Sequence, residues 1–169
     1  MSAFVALLLG LVTLSFDLFC REAWALDAWA PETTTVLILW LGSTRQGPSG
    51  PLTTTLVGLL KDGITTAPAG LHMLHGLLIY YLARGLAERV AFRGFFGRLM
   101  LGGLGGLASL LCMALISRVF LGDTALNARV GALLIPRITL VLICVPILFP
   151  IFNWVQSLAV RRVENDLLS

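Results

Sequence analysis

Between residues 56 and 89 the chain reads LVGLLKDGITTAPAGLHMLHGLLIYYLARGLAER. Two apolar runs are held apart by an ionised pair, Lys61-Asp62, and by a turn punctuated with Gly63, Pro68 and Gly70. Runs this apolar belong in lipid, where the backbone must satisfy its own hydrogen bonds and therefore coils into helices. The charged bend between them is then costly unless it lies at a membrane surface or is held by partners. Composition extends the constraint to the whole chain. Only 12% of residues are charged and 57% are hydrophobic, against roughly 25% charged in a soluble domain. Mean hydropathy is +0.91. The expectation is an all-α polytopic membrane protein, with residues 1–169 forming a single integral domain of about six transmembrane helices.

Taken in order, the first span is expected over residues 3–20. A signal peptide needs a basic residue ahead of its apolar run, and none precedes this one, so the run is read as a retained helix. Residues 21–31 carry Trp24 and Trp29, which suit a membrane interface, and a short interfacial helix is expected there. The runs at 33–41 and 52–60 are each too short to cross unaided. They either cross with help from their flanks, which is the favoured reading, or form a re-entrant pair among longer helices. Residues 71–87 give the clearest helix. Arg84, Arg89, Arg93 and Arg98 crowd its far end, and Arg84 and Glu88, four apart, can pair on one face. In the next helix, 96–121, Gly102 and Gly106 are four apart, as are Gly105 and Ser109. Such small-residue spacing lets backbones approach closely, here against a neighbouring helix of the same chain rather than a second copy. The last helix is expected over 133–155, with Pro136 harmless in its first turn and kinks at Pro146 and Pro150. Arg137, one turn from the end, is expected to snorkel outward.

With six spans both termini share a side with the 42–51 turn and the Arg84–Arg98 loop. That side holds seven basic residues against five. Basic loops stay in the cytoplasm, so both termini are placed there.

Few residues offer chemistry. His72 and His75 lie three apart on one helix face, and Asp62 stands across the turn. Metal ligation is one reading. The favoured one is structural: Asp62 caps the following helix, where a carboxylate also meets the positive end of the dipole, or accepts a bond from a histidine. Contact with a partner or ligand is the third. Cys20, Cys112 and Cys144 lack metal-ligand spacing and are read as small apolar packers. No serine sits in a nucleophile elbow, no glycine loop has the phosphate-binding pattern, and no basic surface with interleaved aromatics suits nucleic acid. Neither enzymatic activity nor a cofactor or metal is expected.

The motif Gly58-Leu59-Leu60-Lys61-Asp62, followed by a Gly/Pro-rich turn and Gly70-Leu71-His72, resembles the rod shape-determining protein MreD family. So does the run Val145-Pro146-Ile147-Leu148-Phe149-Pro150 ahead of Arg161-Arg162, and Pro31-Glu32 at the entry to the second helix. The resemblance covers the chain in layout and is specific around residues 56–84 and 145–150. It implies a non-enzymatic component of the bacterial inner membrane, working in the cell-elongation machinery that builds peptidoglycan at the side wall. Implied partners are an MreC-like single-span protein, MreB, a RodA-type glycosyltransferase and a class B penicillin-binding transpeptidase. The family is also similar in fold to the six-helix substrate-binding components of energy-coupling-factor transporters. A vitamin-type binding subunit is therefore the alternative.

Overall fold

The structure is a computed structural model that describes residues 3–24, 31–44, 47–65, 68–89, 94–121 and 125–168. Among these there are helices and no strand. The helices are α1 (Ala3–Trp24), α2 (Thr33–Thr44), α3 (Ser49–Ile64), α4 (Leu71–Arg89), α5 (Gly94–Leu121) and α6 (Ala125–Leu168). Three contain stretches long and apolar enough to cross a membrane: Phe4–Glu22, Gly94–Ile116 and Ile135–Ala159. This is compatible with a membrane protein.

The organising element is the shortest helix. Every residue of α2 from Thr33 to Gly42 is buried, and α2 packs against each of the other five helices. Its sequence, TTTVLILWLG, has no charged face to turn outward, and a helix that is apolar all round belongs inside. The remaining helices surround it in the order α1, α3, α4, α5, α6, each packed on the next. Neighbours in sequence run antiparallel, so that Gly102 of α5 faces Val145 of α6 while Gly106 faces Val141 and Ile138. The outside is apolar too. Phe4, Leu8, Val12, Phe16 and Phe19 of α1, Met100, Leu111 and Leu115 of α5, and Ile143, Ile147 and Ile151 of α6 are all exposed.

Close approach rests on particular glycines. A Cβ on Gly58 would lie 2.5 Å from the Met73 Cα, and one on Gly42 would lie 2.5 Å from the Tyr80 carbonyl oxygen. Those distances allow no side chain, so α3 and α2 press directly on the α4 backbone. Gly102 and Gly106 serve α6, whereas Gly105 makes room for Leu39 of α2.

The expected bounds of the last helix change. The last helix begins at Ala125, not near residue 133, so Pro136 stands in its interior. The helix also runs on through Pro146 and Pro150, each of which removes one backbone donor. Arg137, two residues inside the apolar stretch that begins at Ile135, keeps 24% of its side chain exposed and places Nη2 3.3 Å from Glu32 Oε1. At Gly63 a side chain would meet open space. Residues 25–30, with Trp29, and Arg45 and Arg93 lie outside the described residues.

Candidate functional site

The chain's buried polar groups gather mainly at one end of the bundle, where α1 and α3 finish and α2 and α4 begin. Helix starts expose backbone N–H groups that have no partner within the helix. Here each start is met by a carboxylate from the preceding helix.

At α2 the carboxylate is Asp17. Its Oδ1 accepts from the Thr33 N–H (2.7 Å) and hydroxyl (2.6 Å), and its Oδ2 from the Thr34 N–H (3.0 Å) and hydroxyl (2.6 Å). The Thr33 hydroxyl also reaches the Thr13 carbonyl at 3.1 Å. Asp17 thus meets both backbone donors at the positive end of α2. Thr33 and Thr34 turn to Asp17 rather than to carbonyls of their own helix. Thr53, Thr54 and Thr55 do bond back, to the carbonyls of Ser49, Gly50 and Pro51, which satisfies a hydroxyl without any outside partner.

At α4 the carboxylate is Asp62. It accepts from the Gly70 N–H (2.9 Å), the His72 N–H (2.8 Å) and the Met73 N–H (3.3 Å). Gly70 has φ +92°, a left-handed conformation that glycine adopts without penalty, and it aims the N–H at the acid. Asp62 therefore engages the backbone of His72. The other histidine faces a different helix: His75 Nε2 lies 3.1 Å from the Ser109 carbonyl and 3.0 Å from its hydroxyl. A carbonyl only accepts, so Nε2 carries the hydrogen. Ser109, grouped in the sequence with the packing glycines, is a hydrogen-bond partner joining α5 to α4. Among the described residues no group of three or more His, Cys, Asp or Glu could hold a metal ion.

Glu32, just ahead of α2, completes the layer. Its Oε1 lies 3.3 Å from Arg137 of α6 and 3.9 Å from Arg21 of α1, and its Oε2 accepts from the Thr35 hydroxyl at 3.3 Å. Burial opposes its ionisation, yet the positive charges around it, Arg137 foremost, win and hold the carboxyl down to about 2. Asp17, Arg21, Glu32 and Arg137 are the members that sequence reasoning missed as a set. The available signals were an acid inside an apolar run and a threonine triplet opening a helix, where hydroxyl and acid residues favour caps.

At the opposite end Trp40 of α2 donates Nε1–H to Asn153 Oδ1 at 2.8 Å, with its ring 5.5 Å from that of Phe152. Arg84 and Glu88 form their expected pair at 3.1 Å. The three cysteines are free; Cys20 is buried, and Cys112 and Cys144 pack on the core. A small apolar cleft of about 240 Å³ lies between the α3–α4 turn and α5, lined by Pro68, Gly70, Leu71, Met73, Leu74 and Ile116 among others. Comparison with protein-family models, with curated proteins and with solved structures finds no match to the chain.

Proposed function

We propose that the chain is a non-enzymatic component of the bacterial inner membrane of the MreD type, supporting side-wall peptidoglycan synthesis by holding an MreC-like single-span partner. The observation that carries the reading is where the motif residues meet. Gly58 and Asp62, one helical turn apart on α3, both touch the opening of α4: Gly58 presses on Met73, and Asp62 caps Gly70, His72 and Met73. The Gly-Leu-Leu-Lys-Asp and Gly-Leu-His segments that carry the resemblance are thus two halves of one joint. Asp17 and Asp62 are spent on helix caps and Glu32 on two arginines. That favours a scaffold over a reacting site.

In this reading all six helices cross the membrane, both termini are cytoplasmic, and the architecture is similar to the substrate-binding components of energy-coupling-factor transporters. Only a helix facing lipid must match the bilayer thickness. With 12 residues, α2 is too short for that, but it is enclosed by protein and its start is capped by Asp17, so it can cross inside the bundle.

The test is affinity purification of the tagged protein from its native membranes. An MreC-like single-span protein is expected in stoichiometric amount. Recovery of a transporter ATPase module instead, or of a vitamin retained through detergent extraction, would replace the scaffold with an uptake subunit.

A further inference from the structure

The arginines on Glu32 sit at a place of their own. The apolar stretch of α1 ends at Glu22 and that of α6 begins at Ile135, so Arg21 and Arg137 lie at the same boundary of the bundle, one on each helix. The two helices flank a seam. Successive outer helices pack on one another from α1 through α3, α4 and α5 to α6, but α1 and α6 share at most a marginal contact among the described residues. Glu32, its side chain 10% exposed, is the group that both arginines address.

Glu32 does not exhaust them. A guanidinium carries five N–H donors in a fixed fork. Among the described residues Arg137 makes one polar contact, at 3.3 Å, and Arg21 one at 3.9 Å, beyond hydrogen-bonding reach. Their side chains remain 24% and 36% exposed. One negative charge lies between two positive ones, and Lys61 adds a third near Glu32. The other described acids at this end are Glu22, exposed beside Arg21, and Asp17 and Asp62, which face helix starts whose dipoles offset part of their charge. The two guanidinium groups therefore keep partly exposed N–H donors that Glu32 does not engage. Planar forks of this kind match the oxygens of a phosphate.

We infer that Arg21 and Arg137, spaced by the carboxylate of Glu32, form a binding site for a phosphate group at the α1–α6 seam. The inference rests on the membrane part of the proposed function, because that reading puts the pair at headgroup depth. The phosphate belongs either to an anionic lipid headgroup or to a free ion. Glu32 is a positioning residue: it draws both guanidinium groups to one point and leaves their remaining donors outside.

The experiment uses the full-length protein in detergent and native mass spectrometry, titrating phosphatidylglycerol, a diacylglycerol with the same tails, and inorganic phosphate. Bound phosphatidylglycerol without bound diacylglycerol is expected. Arg21→Gln and Arg137→Gln should each weaken it about fivefold, and Arg118→Gln, an exposed cation on α5, should not. Inorganic phosphate that binds alone and competes would assign the site to the free ion. The site is refuted if phosphatidylglycerol and phosphate both fail to bind, if diacylglycerol binds equally well, or if Arg118→Gln weakens binding as much as Arg21→Gln. Arg137→Gln leaves Glu32 short of its closer partner and can fail to fold; the more exposed Arg21→Gln then decides. Flotation of the wild type with vesicles is measured separately. A protein that floats but ignores phosphate loses only this site, whereas one that does not float loses the membrane reading itself.

Discussion

Asp17 and Asp62 show how a residue that is costly in apolar surroundings becomes a structural asset. Each replaces the water that would otherwise hydrate a helix start, and each does so from a neighbouring helix rather than from within the turn. Replacing Asp17 with Leu strips the Thr33 and Thr34 N–H groups of their acceptor. A lost cap costs about 1 kcal/mol and each buried orphan donor about 1–3 kcal/mol, so a loss of roughly 3 kcal/mol is expected. Thermal unfolding in detergent would show it as a clear drop in midpoint, and an unchanged midpoint would refute the cap. Glu32 gives a pH dependence whose sign follows from its surroundings. Its carboxyl is held down to about 2 in the fold, against roughly 4.3 for a free glutamate. The ionised form therefore stabilises the fold above the unfolded value, and that contribution fades as pH falls from there toward the folded value. Melting midpoints should hold from pH 8 to about 5 and decline below, and Glu32→Gln should flatten part of the decline.

At the scale of elements the hairpin α3–α4 separates glycines that matter from those that do not. Gly58 and Gly63 belong to the same helix and the same motif region. A methyl on Gly58 would collide with the Met73 backbone, whereas one on Gly63 would meet open space. Gly58→Ala should cost about 1–3 kcal/mol through overpacking. Gly63→Ala should be neutral or stabilise by up to about 1 kcal/mol, because alanine restricts the unfolded chain. Comparing accumulated protein and melting midpoint for the two variants checks the joint directly; equal effects would contradict it. The GGLGGLAS segment of α5 was legible in the sequence as a close-packing face. Its division was not: Gly102 and Gly106 serve α6, Gly105 serves α2, and Ser109 bonds His75. Helical spacing indicates which residues share a face but not which neighbour stands opposite.

For the whole molecule, the order of helices followed from hydropathy, and most boundaries fell within a few residues of those expected. The last helix was the exception. Its apolar run marks only the middle: the polar stretches on either side continue the helix from Ala125 to Leu168, past the expected limits at 133 and 155. On the proposed topology the Arg84–Arg98 loop keeps both termini in the cytoplasm. Removing Arg84, Arg89 and Arg93 together should weaken or invert that orientation, read by reporter fusions at the C-terminus. Each arginine contributes about 1 kcal/mol near anionic lipid, so single changes should leave the reporter unmoved. Full retention of orientation in the triple variant would show that packing, not loop charge, sets it.

The sequence by itself determined that the chain is helical and apolar, and that its bend at residues 61–72 joins two helices. These follow from composition and local spacing, which act along the chain. Only the tertiary structure decided that the short second helix lies at the centre, that Asp17 caps it, and that Arg137 pairs with Glu32. Asp17 and Thr33 are 16 residues apart and Glu32 and Arg137 more than a hundred. Partnerships at such separations depend on which helix packs beside which, and that is settled by the fit of all six together.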